Sequence, residues 1–213
     1  MAMTMGLSLV ACGSSDTAAS TDAAAETTEA ADTADTAEET EVPSAGGSYT
    51  IGICQLVQHE ALDAATQGFK DAIVEALGED AVTFDEQNAQ GDSNTCATII
   101  NGFVAEDADL ILANATAALQ AAQAGTSEIP ILGTSVTEYG VALGIDDFDG
   151  TVGGNISGTS DLAPLTEQAA MLNELFPDAK NVGLLYCTAE ANSQYQVDEV
   201  QKALEGMGYT CKQ

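Results

Sequence analysis

The residues best suited to chemistry in this chain are short hydroxyls and amides that follow apolar runs. Gln55 and His59 come after the run at 51–54, Ala115 and Thr116 after 110–113, Ser135 and Thr137 after 129–133, and Asn192 and Ser193 after 182–187. Ser160 and Asp161 add a hydroxyl and a carboxylate from a glycine-rich connector. Small residues that open a helix leave its first backbone N–H groups free, and the helix dipole favours an anion there. The chemistry that suits such a set is non-covalent capture of a small anionic group. One by one, the same Ser, Thr and Asn serve equally well as ordinary helix N-caps. Only their convergence at one crevice makes them a binding site.

Catalysis finds little to work with. The single histidine, His59, has no Ser or Cys nucleophile in a recognisable motif, and no GxSxG occurs. Asp and Glu are too numerous for any pair to stand out. Cys54, Cys96, Cys187 and Cys211 form no CxxC or Cys/His pattern, so neither zinc nor any other metal is expected. Cys54 lies in an apolar run and Cys96 in a helical pattern, and both are expected as buried free thiols. The acidic cluster Asp146-Asp147-Phe148-Asp149-Gly150 lacks the closing Glu of a calcium loop, and the glycines at 153–158 lack the Lys-Ser/Thr of a phosphate-binding loop. No enzyme activity and no cofactor are expected.

Charge narrows the partners further. Four lysines and no arginine face 34 acidic residues, for a formal net charge of −30. Such a chain has no cationic surface to displace phosphate counterions, which excludes nucleic acid. Without a guanidinium fork, a bound carboxylate or phosphate must rest on Lys, hydroxyls or backbone N–H groups.

These residues need a scaffold, and the pattern supplies one. A β-rich run at 49–57 leads into helical spacing through Ala61, Leu62, Ala65, Phe69, Ile73 and Leu77, ended by Gly78. A strand at 81–84, a helix at 93–106, a strand at 110–113, a helix at 116–124 and a strand at 129–133 follow, then a short apolar run at 141–144. Strands alternating with helices of ten or more residues predict an α/β fold, a parallel sheet with helices on both faces. Residues 49–145 form the first lobe in this reading, and the turn-rich stretch 146–163 reads as a hinge connector. The pattern restarts at 164–213 with a helix at 164–176, a strand at 181–187, a helix at 192–206 and a strand at 209–211. Ile51-Gly52-Ile53-Cys54 and Val182-Gly183-Leu184-Leu185 open the two halves alike, which suggests two lobes of one kind, the second incomplete.

The N-terminus carries a separate signal. Residues 7–11 are mostly apolar and end in Leu9-Val10-Ala11-Cys12, after which the chain turns small, polar and acidic. A short apolar segment before small residues is the logic of a secretory signal. The Leu-x-Ala-Cys pattern resembles the bacterial lipobox, which implies lipidation of Cys12 and residues 1–12 as signal. Residues 13–48 are almost all Ala, Thr, Ser, Asp and Glu, with Val42 the only large aliphatic. Such a stretch cannot bury enough apolar surface to offset the entropy of ordering it, and its charges extend it. It reads as a tether that holds a folded part off a membrane.

Four stretches carry a wider resemblance: residues 51–65 (IGICQLVQHEALDAA), 108–116 (ADLILANAT), 153–162 (GGNISGTSDL) and 190–193 (EANS). Together they resemble the substrate-binding lipoproteins of ABC transporters, in particular those linked to tryptophan and tyrosine uptake. The resemblance implies a type I periplasmic-binding fold of two doubly wound parallel-sheet lobes that close on a small ligand, expected to be an aromatic or other small amino acid. A membrane permease and an ATPase are the implied partners, and the implied location is the outer face of the membrane. The alternative is a sensing module in which the same lobes bind a sugar or nucleoside and feed a receptor.

Overall fold

The computed structural model describes residues 48–213; the expectations for Cys12 and for the tether up to residue 47 lie outside the described residues. The first lobe is built on five strands: β1 (Tyr49–Gln55), β2 (Val82–Asn88), β3 (Leu110–Asn114), β4 (Ile131–Val136) and β5 (Ile156–Ser160). They lie in the order β2-β1-β3-β4-β5, every neighbouring pair parallel. This is a doubly wound order, with its switch point where β1 meets both β2 and β3.

Alternation along the central strands decides which helix covers which face. Ile51, Ile53 and Leu112 point one way and pack with Phe69 and Ile73 of α1 (Glu60–Leu77). Cys54, Ile111 and Ala113 point the other way, into the cluster built with Ile100 and Phe103 of α2 (Ser93–Ala105) and Leu119 of α3 (Thr116–Gly125). Because both faces are covered, β1 from Ile51 to Gln55 is buried without a break, which is why it reads as a continuous apolar run. Gly52 is demanded by this packing: a Cβ there would stand 2.5 Å from the Phe103 ring.

Three segments differ from the sequence reading. The strand read at 181–187 is limited to Asn181–Gly183, because Leu185 beyond it is fully exposed and pairs with no strand. The apolar run at 141–144 belongs to a short helix, α4 (Tyr139–Leu143), held at its start by Glu138, whose carboxylate accepts from the N–H groups of Gly140 and Val141. The stretch read as a connector contains β5, which extends the first sheet beyond β4.

The second lobe has α5 (Leu165–Leu175), β6 (Asn181–Gly183), α6 (Ala191–Gly206) and β7 (Thr210–Lys212). Its two strands pair in parallel as a separate sheet, around a small cluster of Ala169, Leu204 and Tyr209. The expectation of an α/β fold with parallel sheets thus holds. Helix α6 also packs against α4 of the first lobe. Among the described residues no helix is long and apolar enough to cross a membrane.

Candidate functional site

In an open parallel sheet the strands' C-terminal ends and the loops after them line the crevice. Gln55, Asn114 and Val136 end β1, β3 and β4 there. The sequence-predicted residues lie at or just after strand C-terminal ends, and the structure gives them different work.

Gln55 is buried and fully engaged. Its Nε2 donates to Asp63 Oδ1 at 2.6 Å and to the Val57 carbonyl at 3.0 Å, while its Oε1 accepts from Thr66 Oγ1 at 2.7 Å. Asn114 Nδ2 donates to Thr66 Oγ1 and to the Leu62 carbonyl, each at 2.9 Å. These side chains tie the start of α1 to the tips of β1 and β3, so Gln55 sets loop geometry. Asn114 Oδ1, by contrast, is buried without a partner. His59 is exposed and acts as the N-cap of α1, its Nδ1 accepting from the Ala61 N–H at 3.2 Å.

The next junction is built differently. Ala115 precedes α3 at φ +93° and ψ 159°, and no side chain caps the helix. That conformation belongs almost exclusively to glycine. Its own N–H donates to the Thr134 carbonyl at 2.9 Å, which fixes the strained turn against β4. Thr116 is the first helical residue and is buried. The opening N–H groups of an α-helix have no intrahelical partner, so the start of α3 offers donors that no cap occupies. Ser135, one strand over, is likewise left-handed, at φ +55°.

Thr137 is buried, and its carbonyl accepts from Ser160 Oγ at 2.9 Å. Asp161 joins the same edge through its N–H to the Val136 carbonyl at 3.0 Å. Tyr139 lies beneath, its hydroxyl donating to the Thr159 carbonyl at 3.3 Å. Burial, and then the Asp161 carboxylate, push that phenol up to about 12. In the second lobe, α6 also starts without a side-chain cap. Asn192 and Ser193 stand in its first turn, with Ser193 Oγ donating to Glu190 Oε2 at 3.3 Å. Tyr195, one turn along, is raised by burial and by the charges of Glu199 and of Glu138 from the first lobe.

Among the described residues, the candidates border separate cavities. Ser160 borders one of about 490 Å³ with Tyr139 and Phe148, Gln55 one of about 290 Å³, and Ser193 one of about 310 Å³ with Tyr186. The sequence reading passed over Thr66, which links Gln55 to Asn114. Its signal was a polar residue four places after Leu62 and three before Phe69, on the apolar stripe of α1.

Comparison with known proteins agrees with this architecture. The family described as ABC transporter substrate binding protein matches residues 50–213. A tyrosine-binding protein of Clostridioides difficile is 41% identical over 152 residues, covering 70% of this chain and 44% of the relative. The chain thus spans less than half the length of that curated relative. Among solved structures, an ABC domain from Streptococcus pneumonia in complex with L-Trp has a TM-score of 0.72 at 32% identity, over 78% of this chain and 56% of that one. A ligand-free, open substrate-binding protein from Clostridium difficile has a TM-score of 0.59 at 38% identity, over 77% of this chain and 56% of that one. A leucine-binding protein from Thermotoga maritima shares the fold alone, with a TM-score of 0.60 at 14% identity. The family is one of binding proteins, not of enzymes. With a parallel sheet of this order, uncapped helix starts at its crevice end and a family match over nearly every described residue, the chain belongs to the substrate-binding proteins of ABC transporters.

Proposed function

We propose that this protein captures an aromatic amino acid, tyrosine or tryptophan, outside the cytoplasm for an ABC importer. The observation that carries the reading is the start of α3, where a strained Ala115 presents uncapped N–H groups in a chain without arginine. An α-carboxylate is the anion that such a helix start suits. The uncapped start of α6, with Asn192 and Ser193, offers a second set of polar groups from the other lobe. The kinship with a tyrosine-binding protein and with a structure holding L-Trp supports the choice of side chain.

The mechanism in this reading is closure. A ligand that touches both lobes favours the closed form by its differential affinity for it. Thr116, Ser135 and Thr137 serve from the first lobe, Ser160 and Asp161 from its edge, and Asn192 and Ser193 from the second. Gln55 and His59 act at one remove, by fixing the loop between β1 and α1. Cys12 carries the lipid, and the acidic stretch that follows spaces the lobes from the membrane, where a permease and its ATPase receive the ligand.

Thr116→Val and Ser193→Ala in the full-length protein test the crevice. Each is expected to weaken binding of L-Tyr or L-Trp about tenfold, near 1.4 kcal/mol, as for one lost hydrogen bond, with the unfolding midpoint little changed. Unchanged affinity in both variants refutes the placement.

A further inference from the structure

Asp161 is the one carboxylate among the residues assigned to the crevice, and its side chain holds nothing in place. Other carboxylates near the strand ends are engaged. Asp63 Oδ1 accepts from Gln55 Nε2 at 2.6 Å, and Glu138 takes the N–H groups of Gly140 and Val141 at 2.9 and 2.6 Å. Glu190 Oε2 accepts from Ser193 Oγ at 3.3 Å. Asp161 is exposed, and among the described residues no hydrogen bond or ion pair reaches its carboxylate. Its backbone, by contrast, is pinned. The Asp161 N–H donates to the Val136 carbonyl at 3.0 Å. Ser160 Oγ donates to the Thr137 carbonyl at 2.9 Å and accepts from the Leu162 N–H at 3.4 Å. A free carboxylate on a fixed turn is a preorganised acceptor.

Its place relative to α3 gives that acceptor a use. β4 stands between β3 and β5, and the turns on either side hang from its end. The Ala115 N–H donates to the Thr134 carbonyl at 2.9 Å, just as the Asp161 N–H donates to the Val136 carbonyl. The two turns therefore lie two strand spacings apart, about 10 Å. On one side stand uncapped backbone N–H groups, which suit an anion; on the other stands a negative charge. The gap suits one amino-acid backbone, with its carboxylate toward the start of α3 and its ammonium toward Asp161. The reverse orientation sets like charges together. None of the four lysines belongs to either turn, so no side chain there competes for Asp161.

We infer that Asp161 accepts the α-ammonium of the ligand, and that it restricts the site to α-amino acids against aromatic acids of the same ring that lack the ammonium. This rests on the proposed capture of an aromatic amino acid. A hydrogen bond between charged groups is the strong kind, and a ligand without the ammonium forfeits it. Asp161 lies between β5 and α5, so the charge pair forms where the chain passes from one lobe to the other.

The test compares two ligands on two proteins. L-Trp and indole-3-propionate share the ring and the carboxylate, and only L-Trp carries the ammonium. Each is titrated, by the anisotropy of its indole emission, with the wild-type protein and with Asp161→Asn, which keeps the side chain's shape and removes its charge. The wild type is expected to bind L-Trp roughly ten- to a hundredfold more tightly than indole-3-propionate, the range of one charge-assisted hydrogen bond. Asp161→Asn is expected to lose that preference, by weakening L-Trp while indole-3-propionate is held as well or better. A variant that merely loosens the turn weakens both ligands and leaves their ratio unmoved. Equal binding of the two ligands by the wild type overturns the inference, as does an unchanged preference in Asp161→Asn; aromatic capture stands in either case. Binding of neither ligand by the wild type overturns the proposed capture and this inference with it. The wild-type comparison decides the matter even where the variant does not fold.

Discussion

Ala115→Gly should stabilise this protein, although exchanging alanine for glycine ordinarily does the reverse. Ala115 sits at φ +93° and ψ 159°, outside the helix proper and without a side-chain cap to protect. A non-glycine residue held in that region costs about 1–3 kcal/mol. Glycine removes the steric strain but gives the unfolded chain more freedom, which costs about 0.4–1 kcal/mol. The difference leaves about 0.5–2 kcal/mol in favour of glycine. At about 2–4 °C per kcal/mol for a chain of this size, the melting temperature rises by about 1–8 °C. Urea unfolding followed by circular dichroism measures it, provided the slope with denaturant is unchanged. Ala124→Gly is the control, because Ala124 is exposed within the same helix and should lose about 0.5–1 kcal/mol. If Ala115→Gly is destabilised as much as Ala124→Gly, the strain assigned to this turn is absent.

Thr66→Val keeps shape while removing the hydroxyl that donates to Gln55 Oε1 and accepts from Asn114 Nδ2. Leaving those buried amides short of a partner should lower stability by about 1–3 kcal/mol, read from chemical denaturation. Tyr139 supplies a pH prediction. Its folded pKa is raised to about 12 from 10.0, so above pH 10 the unfolded state releases this proton first. Its contribution is whole below that pH and is lost as pH rises toward 12, on the order of 2–3 kcal/mol. Tyr139→Phe should therefore lose less stability than the wild type over that window; equal losses refute the buried-phenol reading.

Much of the first lobe was legible because its central strands are buried on both faces. Apart from Gln55 and Asn114 at their ends, the residues of β1 and β3 that pack on α1 or α2 are apolar or glycine, so the runs stand out and the loops after them can be named. β5 escaped because its sequence, ISGTS, has one large apolar residue and, apart from partly buried Ile156, is exposed at the sheet edge. Its place comes from pairing with β4, which no local pattern records. α4 is five residues long, too short for a helical period to show, and its signal is the Glu138 cap. At the site, composition and order located the loops but not the division of labour. Gln55 and His59 have the right chemistry for a ligand, yet one is spent on Asp63, Thr66 and Val57 and the other on capping α1. The strain at Ala115 was hidden because alanine, unlike glycine, announces no turn.

The claim that an aromatic amino acid is the ligand has a direct measurement, made convenient by a chain without tryptophan. All indole emission in a mixture of this chain and L-Trp comes from the ligand. Titrating the protein into L-Trp should raise the emission anisotropy to a plateau at one ligand per chain, and added L-Tyr should lower it by competition. An anisotropy that stays flat to high protein concentration, with a sugar or nucleoside found instead by native mass spectrometry of the protein from its own membrane, would contradict the account.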